Sequence, residues 1–400
     1  MARLLSFAVF LAIALLVLGG MHGYLWARLV RDTGLADPWR RAATVALVLS
    51  AATIPLALLL SRFTGSALAR ILPWYAYLWL GVAFLLFSAL VAIDVVRLVG
   101  GGIALARAWL AHPEAGPPDP SRRLFLARAS AETTLAVVVT ATGIGIRTAG
   151  GPADIVDVPV RLPRLPPALD GLSIVQITDL HVGPTIRQRE VDRVVEQANA
   201  LRPDVVAITG DLVDGPVGEL GAIVEGLRRL RSRYGVHFVT GNHEYYSGVE
   251  PWLAELRRLG IRVLHNEHLS VGDGGASFDL AGIDDWSAFG NGHGPDLARA
   301  LAGREPDRSL VLLAHQPRLA AVAQAVEAGV ELQISGHTHG GQIAPFSFLV
   351  SRAFPYLKGL YRHEEAGRAG QVFVSRGTGY WGPPMRLGAP PEIAKIVLTA

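Results

Sequence analysis

The sequence predicts two unlike parts: N-terminal all-α transmembrane helices, then an α/β domain of two packed β-sheets flanked by helices, an α/β/β/α sandwich. Three observations predict this. Half of the 400 residues are hydrophobic and mean hydropathy is +0.34, too apolar for one soluble domain of this length. The apolar excess lies in residues 1–150 as long charge-free runs. Beyond residue 170, five short apolar runs each end in Asp, Asn or His: Ile174 to His181, Val205 to Asp211, Val236 to Glu244, Leu310 to His315, and Leu332 through the pair His337 and His339. Alternation along a strand puts the last two on one face, and Gly336, Gly340 and Gly341 let the backbone turn tightly around what they hold.

The membrane part, residues 1–149, divides into about four helices near 4–26, 42–60, 74–96 and 130–148. Leu4 to Trp26 is 23 residues without a charge, enough to cross a bilayer, and no small-residue cleavage site follows it. Ala42 to Leu60 is a second run of 19, with Pro55 tolerable in a membrane helix. Trp74 to Ile93 is a third, with Trp74, Tyr75, Tyr77 and Trp79 crowded at one end like an interfacial belt. Asp94 lies just past its apolar centre and reads as interfacial and hydrated. A Pro-rich stretch, His112 to Pro120, precedes Ser121-Arg122-Arg123-Leu124-Phe125-Leu126 and the charge-free run Thr133 to Ile146. That run of 14 fits the apolar region of an export signal of twin-arginine type, or else a fourth span beside a basic stop.

Charge supports a membrane rather than a nucleic-acid partner. Residues 1–150 hold 13 Arg against 6 acids, about +7, which leaves about −4 for residues 151–400. Nine Arg lie in the loops between spans one and two and between three and four (Arg28, Arg31, Arg40, Arg41, Arg97, Arg107, Arg122, Arg123, Arg128), and four on the other side (Arg3, Arg62, Arg70, Arg147). The positive-inside rule therefore puts the nine in the cytoplasm and, after four crossings, everything beyond Arg147 outside it. The expectation is a multi-pass protein of the cell membrane with an extracytoplasmic domain. Cysteine is absent, so a metal must be held by oxygen and imidazole nitrogen.

Residues 150–170 form a Gly/Pro-rich linker with a short edge strand, Ile155 to Leu162, and the α/β domain occupies 171–400. Strand-like Ser173–Thr178, Val205–Thr209 and Val236–Thr240 each lead into a run with helical spacing: Arg187–Leu201, Leu220–Arg231 and Val249–Leu259. Short strands at Val263–Leu264 and Phe278–Gly282 follow, then Leu310–Ala314 leads to a helix at Arg318–Ala328 and a strand at Glu331–Ser335. Val372–Ser375 and Ile393–Leu398 close the chain. Strands alternating with helices and then following one another suggest two sheets covered by helices.

In order, the polar strand ends read Asp179-x-His181, Gly210-Asp211-x-x-Asp214, Gly241-Asn242-His243-Glu244, His315, and Gly336-His337-Thr338-His339. Five such blocks in this order, over roughly residues 170–400, resemble the calcineurin-like metallophosphoesterase superfamily. Gly282-Ile283-Asp284-Asp285, His315-Gln316-Pro317 and Gly382 to Gly388 look like its bacterial membrane-associated branch, which includes exported phosphodiesterases and UDP-2,3-diacylglucosamine pyrophosphatase-like enzymes. The resemblance implies a dinuclear-metal-dependent phosphoester hydrolase acting through a water shared by two divalent ions (Mn, Fe, Zn or Co). It makes Asp211 the bridging ligand, with Asp179, His181 and His339 on one ion and Asn242, His315 and His337 on the other. It makes His243 the donor of a proton to the leaving oxygen, with Asp214 orienting that imidazole and Glu244 structural. The implied substrate is a phosphoester, lipid-linked or from the envelope, with no nucleic acid as partner. The rival class is a membrane sensor or scaffold that binds phosphorylated ligands without turnover, to which a leaving-group acid is of no use.

Residues outside the blocks take humbler readings. His237, His265, His268, His293 and His363 read as surface or packing residues, and Asp284 and Asp285 as pocket walls or turn residues. The aromatic stretch Ile343 to Tyr361, with only Arg352 and Lys358 charged, reads as core packing or as an apolar lip beside the metals. Arg386 reads as a partner for a second phosphate or as one half of a salt bridge.

Overall fold

The computed structural model describes all residues except 1, 61–67, 112–118, 274 and 289–293. It divides into two compact units, Met1–Ile144 with Gly382–Pro384, and Gly145–Trp381 with Met385–Ala400.

The first unit is helical: α1 (Ala2–Trp26, continued by a π turn to Arg31), α2 (Trp39–Leu60), α3 (Leu68–Ala111) and α4, which starts at Pro120 and runs to Gly150. Each contains a stretch long and apolar enough to span a bilayer: Leu11–Arg31, Trp39–Ala57, Ile71–Ala104 and Pro120–Gly150. Polar side chains on facing helices find one another, since a polar group in hydrocarbon needs a partner. Trp79 Nε1 donates to His22 Nε2 (3.0 Å), Trp26 Nε1 to Thr44 Oγ1 (3.0 Å), and Tyr75 and Ser50 hydroxyls meet at 2.8 Å. Asp94 departs from the hydrated reading: it is half-buried, accepts from the Tyr24 hydroxyl (2.6 Å) and is ion-paired with Arg28. The 14-residue run from Thr133 is part of the 31-residue helix α4, because Ser121 to Leu126 join the same helix rather than standing apart from it. Arg62 and most of the stretch from His112 lie outside the described residues.

Among the described residues the second unit is built on twelve strands: β1 (Asp154–Arg161), β2 (Ser173–Ile177), β3 (Val205–Thr209), β4 (Val236–Val239), β5 (Arg262–Val263), β6 (Glu267–Asp273), β7 (Ala276–Gly282), β8 (Leu310–Leu313), β9 (Leu332–Ser335), β10 (Gly359–Glu365), β11 (Arg368–Val374) and β12 (Glu392–Thr399). Seven helices accompany them: α5 (Gln188–Ala200), α6 (Val217–Val224), α7 (Asn242–Ser247), α8 (Val249–Arg258), α9 (Leu297–Ala300), α10 (Leu319–Glu327) and α11 (Phe346–Ala353). The strands form two mixed six-stranded sheets, ordered β1-β12-β2-β3-β4-β5 and β10-β11-β9-β8-β7-β6. β2 to β5 run parallel in the first, and β7, β8, β9 and β11 in the second.

The pleat sorts each strand's apolar residues into two layers. Ile174, Val205, Ala207 and Val239 face Leu280, Val311, Leu313 and Ile334 in the core between the sheets. Val175, Ile177, Val206 and Ile208 face the other way, against Val191, Val194, Trp252 and Leu256 of α5 and α8. On the far side of the second sheet, Val372 and Val374 pack on Val322 and Val326 of α10. With both faces covered, the central strands are apolar throughout, and the order of layers is helix, sheet, sheet, helix. This is the fold class expected from the sequence. β6 and β10, antiparallel edge strands, were not expected there, because half-exposed runs such as Gly359–Glu365 carry alternating charge instead of an apolar block.

Candidate metal centre

β2, β3 and β4 of one sheet and β8 and β9 of the other end at the same edge, where ligand sites in α/β sheets form. Their exits carry Asp179 and His181, Asp211, Asn242, His315, and His337 with His339. The seven converge. Asp179, His181 and His339 form one group whose ligating atoms lie within 4.8 Å of one another, and Asp211, His315 and His337 form another. Asp211 also joins a group with His181 and His243, which links the two. Five of the seven, Asp179 (φ 52°), His181 (53°), Asp211 (50°), His337 (72°) and His339 (51°), sit in left-handed backbone, a strain that clusters at functional sites. The glycines are part of the cradle: a Cβ on Gly336 would overlap the Asp179 carboxylate, and one on Gly241 the carboxylate of Asp211.

Second partners fix which nitrogen of each ring faces inward. His315 Nδ1 donates to the Thr209 carbonyl (2.8 Å), so its Nε2 faces Asp211 Oδ2 (3.1 Å) and His337 Nδ1 (3.1 Å). His181 Nδ1 donates to Asp214 Oδ1 (2.9 Å), which turns its Nε2 to His339 Nε2 (3.1 Å). The same Asp214 oxygen accepts from His243 Nδ1 (2.7 Å). Asp214 therefore orients both the expected proton donor and a ligand, a second task that sequence reasoning missed. His337 N donates to both Asp179 oxygens (3.0 and 3.1 Å).

Two residues named for lesser roles hold the cradle together. Glu244, fully buried at the third position of α7, accepts from the amides of Asp211 (3.1 Å), Leu212 (2.8 Å) and Gly241 (2.6 Å). A Glu three residues into a helix start is a capping signal, and it was legible in Gly241-Asn242-His243-Glu244. Arg386 contradicts both of its readings. It meets neither a carboxylate nor solvent: fully buried, it donates to the carbonyls of His339 (3.1 Å), Arg376 (2.6 Å) and Ala389 (3.1 Å) and through Nε to that of Gly379 (2.9 Å). A five-donor fork suits such a cluster of carbonyls. Its Nη2 also stands 3.2 Å from His339 Nδ1.

The electrostatics fit a cation site. Burial raises the Asp179 carboxyl, with Asp211 adding to it against His315. Asp211 is also fully buried, yet its His315 partner holds it well below the usual carboxylate range. Burial and the neighbouring His315 push His337 down to about 3, and burial and His181 push His339 down as well. Burial opposes the charged form of His243, but the bond to Asp214 and the charge of Asp211 outweigh it and raise the ring to about 9. Two buried carboxylates face His337 and His339, rings whose charged form burial disfavours, and Asn242 Oδ1 is buried with no hydrogen-bond partner. Such atoms are costly to bury unless something positive lies between them. The residues present fit divalent cations.

Of the other histidines, none joins the cluster among the described residues. His237 bonds the Tyr234 carbonyl, His265 Asp284, His268 the Ala300 carbonyl and His363 the Tyr356 hydroxyl; His293 lies outside the described residues. Asp285 Oδ1 takes the turn role, accepting from Ser287 N two residues on (2.8 Å), and also accepts from Gln316 next to His315 (2.9 Å).

The sequence profile of the calcineurin-like phosphoesterases matches residues 172–341, the span that holds every one of these candidate ligands. A metallophosphoesterase of Campylobacter jejuni is 30% identical over 396 residues, covering 98% of both chains. The chain belongs to the calcineurin-like phosphoesterase family. A bovine transmembrane protein with a metallophosphoesterase domain is 42% identical over 305 residues, 73% of this chain and 67% of that one. A metallophosphoesterase of Helicobacter pylori is 41% identical over 228 residues, 57% of this chain and 60% of its own length. The chain thus spans about two thirds of the first two-part relative. Family membership makes this phosphoesterase a metal-dependent phosphoric ester hydrolase, and the apolar helices associate it with a membrane.

Proposed function

We propose that the protein is a membrane-tethered phosphoester hydrolase of the phosphodiesterase or pyrophosphatase type, working with two divalent cations on a lipid-linked or envelope substrate. The observation that carries this reading is the convergence of Asp179, His181, Asp211, His315, His337 and His339, together with the buried, unpartnered oxygen of Asn242 just past β4. Asp179, His181 and His339 would hold one ion, Asn242, His315 and His337 the other, and Asp211 both. Bound Mn, Fe, Zn or Co would supply Lewis acidity toward a phosphoryl oxygen and a water that ionises near neutral pH. His243 keeps a side-chain exposure of 15%, against 1% for His181, so its ring borders the opening while Asp214 fixes its tilt. That placement suits donation of a proton from Nε2 to a departing alkoxide. Ligation through His339 Nε2 needs the ring proton on Nδ1; the Arg386 guanidinium, a donor only, must then yield that one contact while its carbonyl bonds persist.

The test uses full-length protein stripped by chelation and reloaded with each metal in turn, assayed on an aryl phosphodiester. Hydrolysis that follows the metal is expected; no turnover with any of them would return the chain to the sensor class. Nine Arg against four, with Arg122-Arg123 read as an export signal, support an extracytoplasmic catalytic unit. A reporter fused after Leu398 checks this: alkaline phosphatase should be active there, and an inactive fusion would point to cytosolic substrates.

A further inference from the structure

Seven residues after His339 the chain enters α11, which buries none of its eight residues. Phe348 and Leu349 are 60% and 57% exposed, which overturns the core-packing reading of this segment; further along, only Tyr356 joins the core. Trp381, 55% exposed, is fastened at the start of the same surface. Gln342 Nε2 donates to the Trp381 carbonyl (2.8 Å) and Trp381 N to Gln342 Oε1 (3.0 Å). The surface begins at the cluster's rim: the Trp381 ring is 5.8 Å from that of His243, and Phe354 is 5.1 Å from His337. Its charge is one-sided. From Ile343 to Tyr361 there are Arg352 and Lys358 and no acid, and Arg352 lies over the Phe348 ring at 4.8 Å.

We propose that α11, with Trp381, is an interfacial element that lies in the headgroup layer of the bilayer, its apolar side chains inserted and Arg352 and Lys358 on anionic lipid phosphates. Aromatic and basic side chains around a short apolar face are what such a layer accepts. The chain's own helices bring it a bilayer. An eight-residue face is far smaller than the roughly 20–30 residues per side of a stable protein interface, which argues against a second copy or a protein partner. The inference rests on membrane association alone, so it survives or fails independently of hydrolysis.

The chain lacks cysteine, so one introduced cysteine carries one label. Full-length L349C, and A302C on an exposed turn after α9 as control, would carry a fluorophore in nanodiscs of phosphatidylcholine with a quarter phosphatidylglycerol and spin-labelled quencher lipid. Several-fold stronger quenching of L349C than of A302C is expected, with a loss of that excess in R352E/K358E. Equal quenching at the two sites would overturn the proposal. Self-quenching between L349C labels, without lipid quenching, would assign the face to a second copy and overturn it too.

Discussion

The cradle and the shelf beside it are neighbours in the chain and opposites in physics. From His337 to Gly341 the backbone is buried and twice left-handed at a histidine, and side-chain or carbonyl partners hold its rings. From Phe346 to Ala353 there is a helix that buries none of its residues. The first region is over-determined, as atoms that must meet within fractions of an ångström have to be. The second keeps most of its side chains exposed. Chemistry and access are therefore assigned to different stretches of polypeptide, and substitutions should separate them.

The largest effect belongs to the cradle. Asp211→Ala, which removes the carboxylate proposed to bridge the two cations, should lower kcat by roughly 10³-fold or more on every substrate and reduce bound metal by elemental analysis. An Asp211→Ala protein with full metal content would break the bridging assignment. His243→Ala sharpens the picture inside the cradle: both metals stay, and kcat falls by about 10²-fold or more on alkyl esters but much less on nitrophenyl esters, whose leaving group needs no proton. Loss of a metal in that variant would make His243 a ligand instead, as its grouping with His181 and Asp211 allows. Asp214→Asn should combine a weaker form of both defects, since the one oxygen serves His181 and His243.

On the shelf, Phe348→Ser should leave turnover of a soluble aryl phosphodiester unchanged. It should raise KM several-fold for a phosphoester presented in vesicles; equal KM values there would mean that α11 plays no part in access. The smallest effect lies away from both. His237 is buried with one ring nitrogen unpartnered, and burial lowers its pKa from 6.5. Above that value folded and unfolded chains are both neutral at this ring. As pH falls below it the unfolded chain takes up a proton that the folded one refuses, so stability drops. His237→Leu should flatten the decline of the unfolding midpoint between about pH 7 and 5; an unchanged slope would remove His237 from the account.

Much of this was legible without coordinates. Apolar runs at β2, β3, β4, β8 and β9 declared themselves because strands buried on both faces must be apolar throughout, and the candidate ligands stood at their ends in the family's order. Three apolar helices followed from length and absence of charge alone, while the fourth, with a charge-free run of only 14 residues, read equally as part of an export signal. The sequence determined, then, which side chains are available and near which strand ends. Their pairing was decided only in three dimensions. That Asp214 serves two rings and that Glu244 caps the Asp211 loop depend on residues some thirty positions apart meeting, as 211 and 244 do. Arg386 lies 47 residues beyond His339, yet its fork closes on that residue's carbonyl. Composition separates a buried Arg from a surface one no better than it separates an exposed Phe348 from a core one. Charge and apolarity state what a side chain costs to bury, but only the packed neighbours decide whether that cost is met.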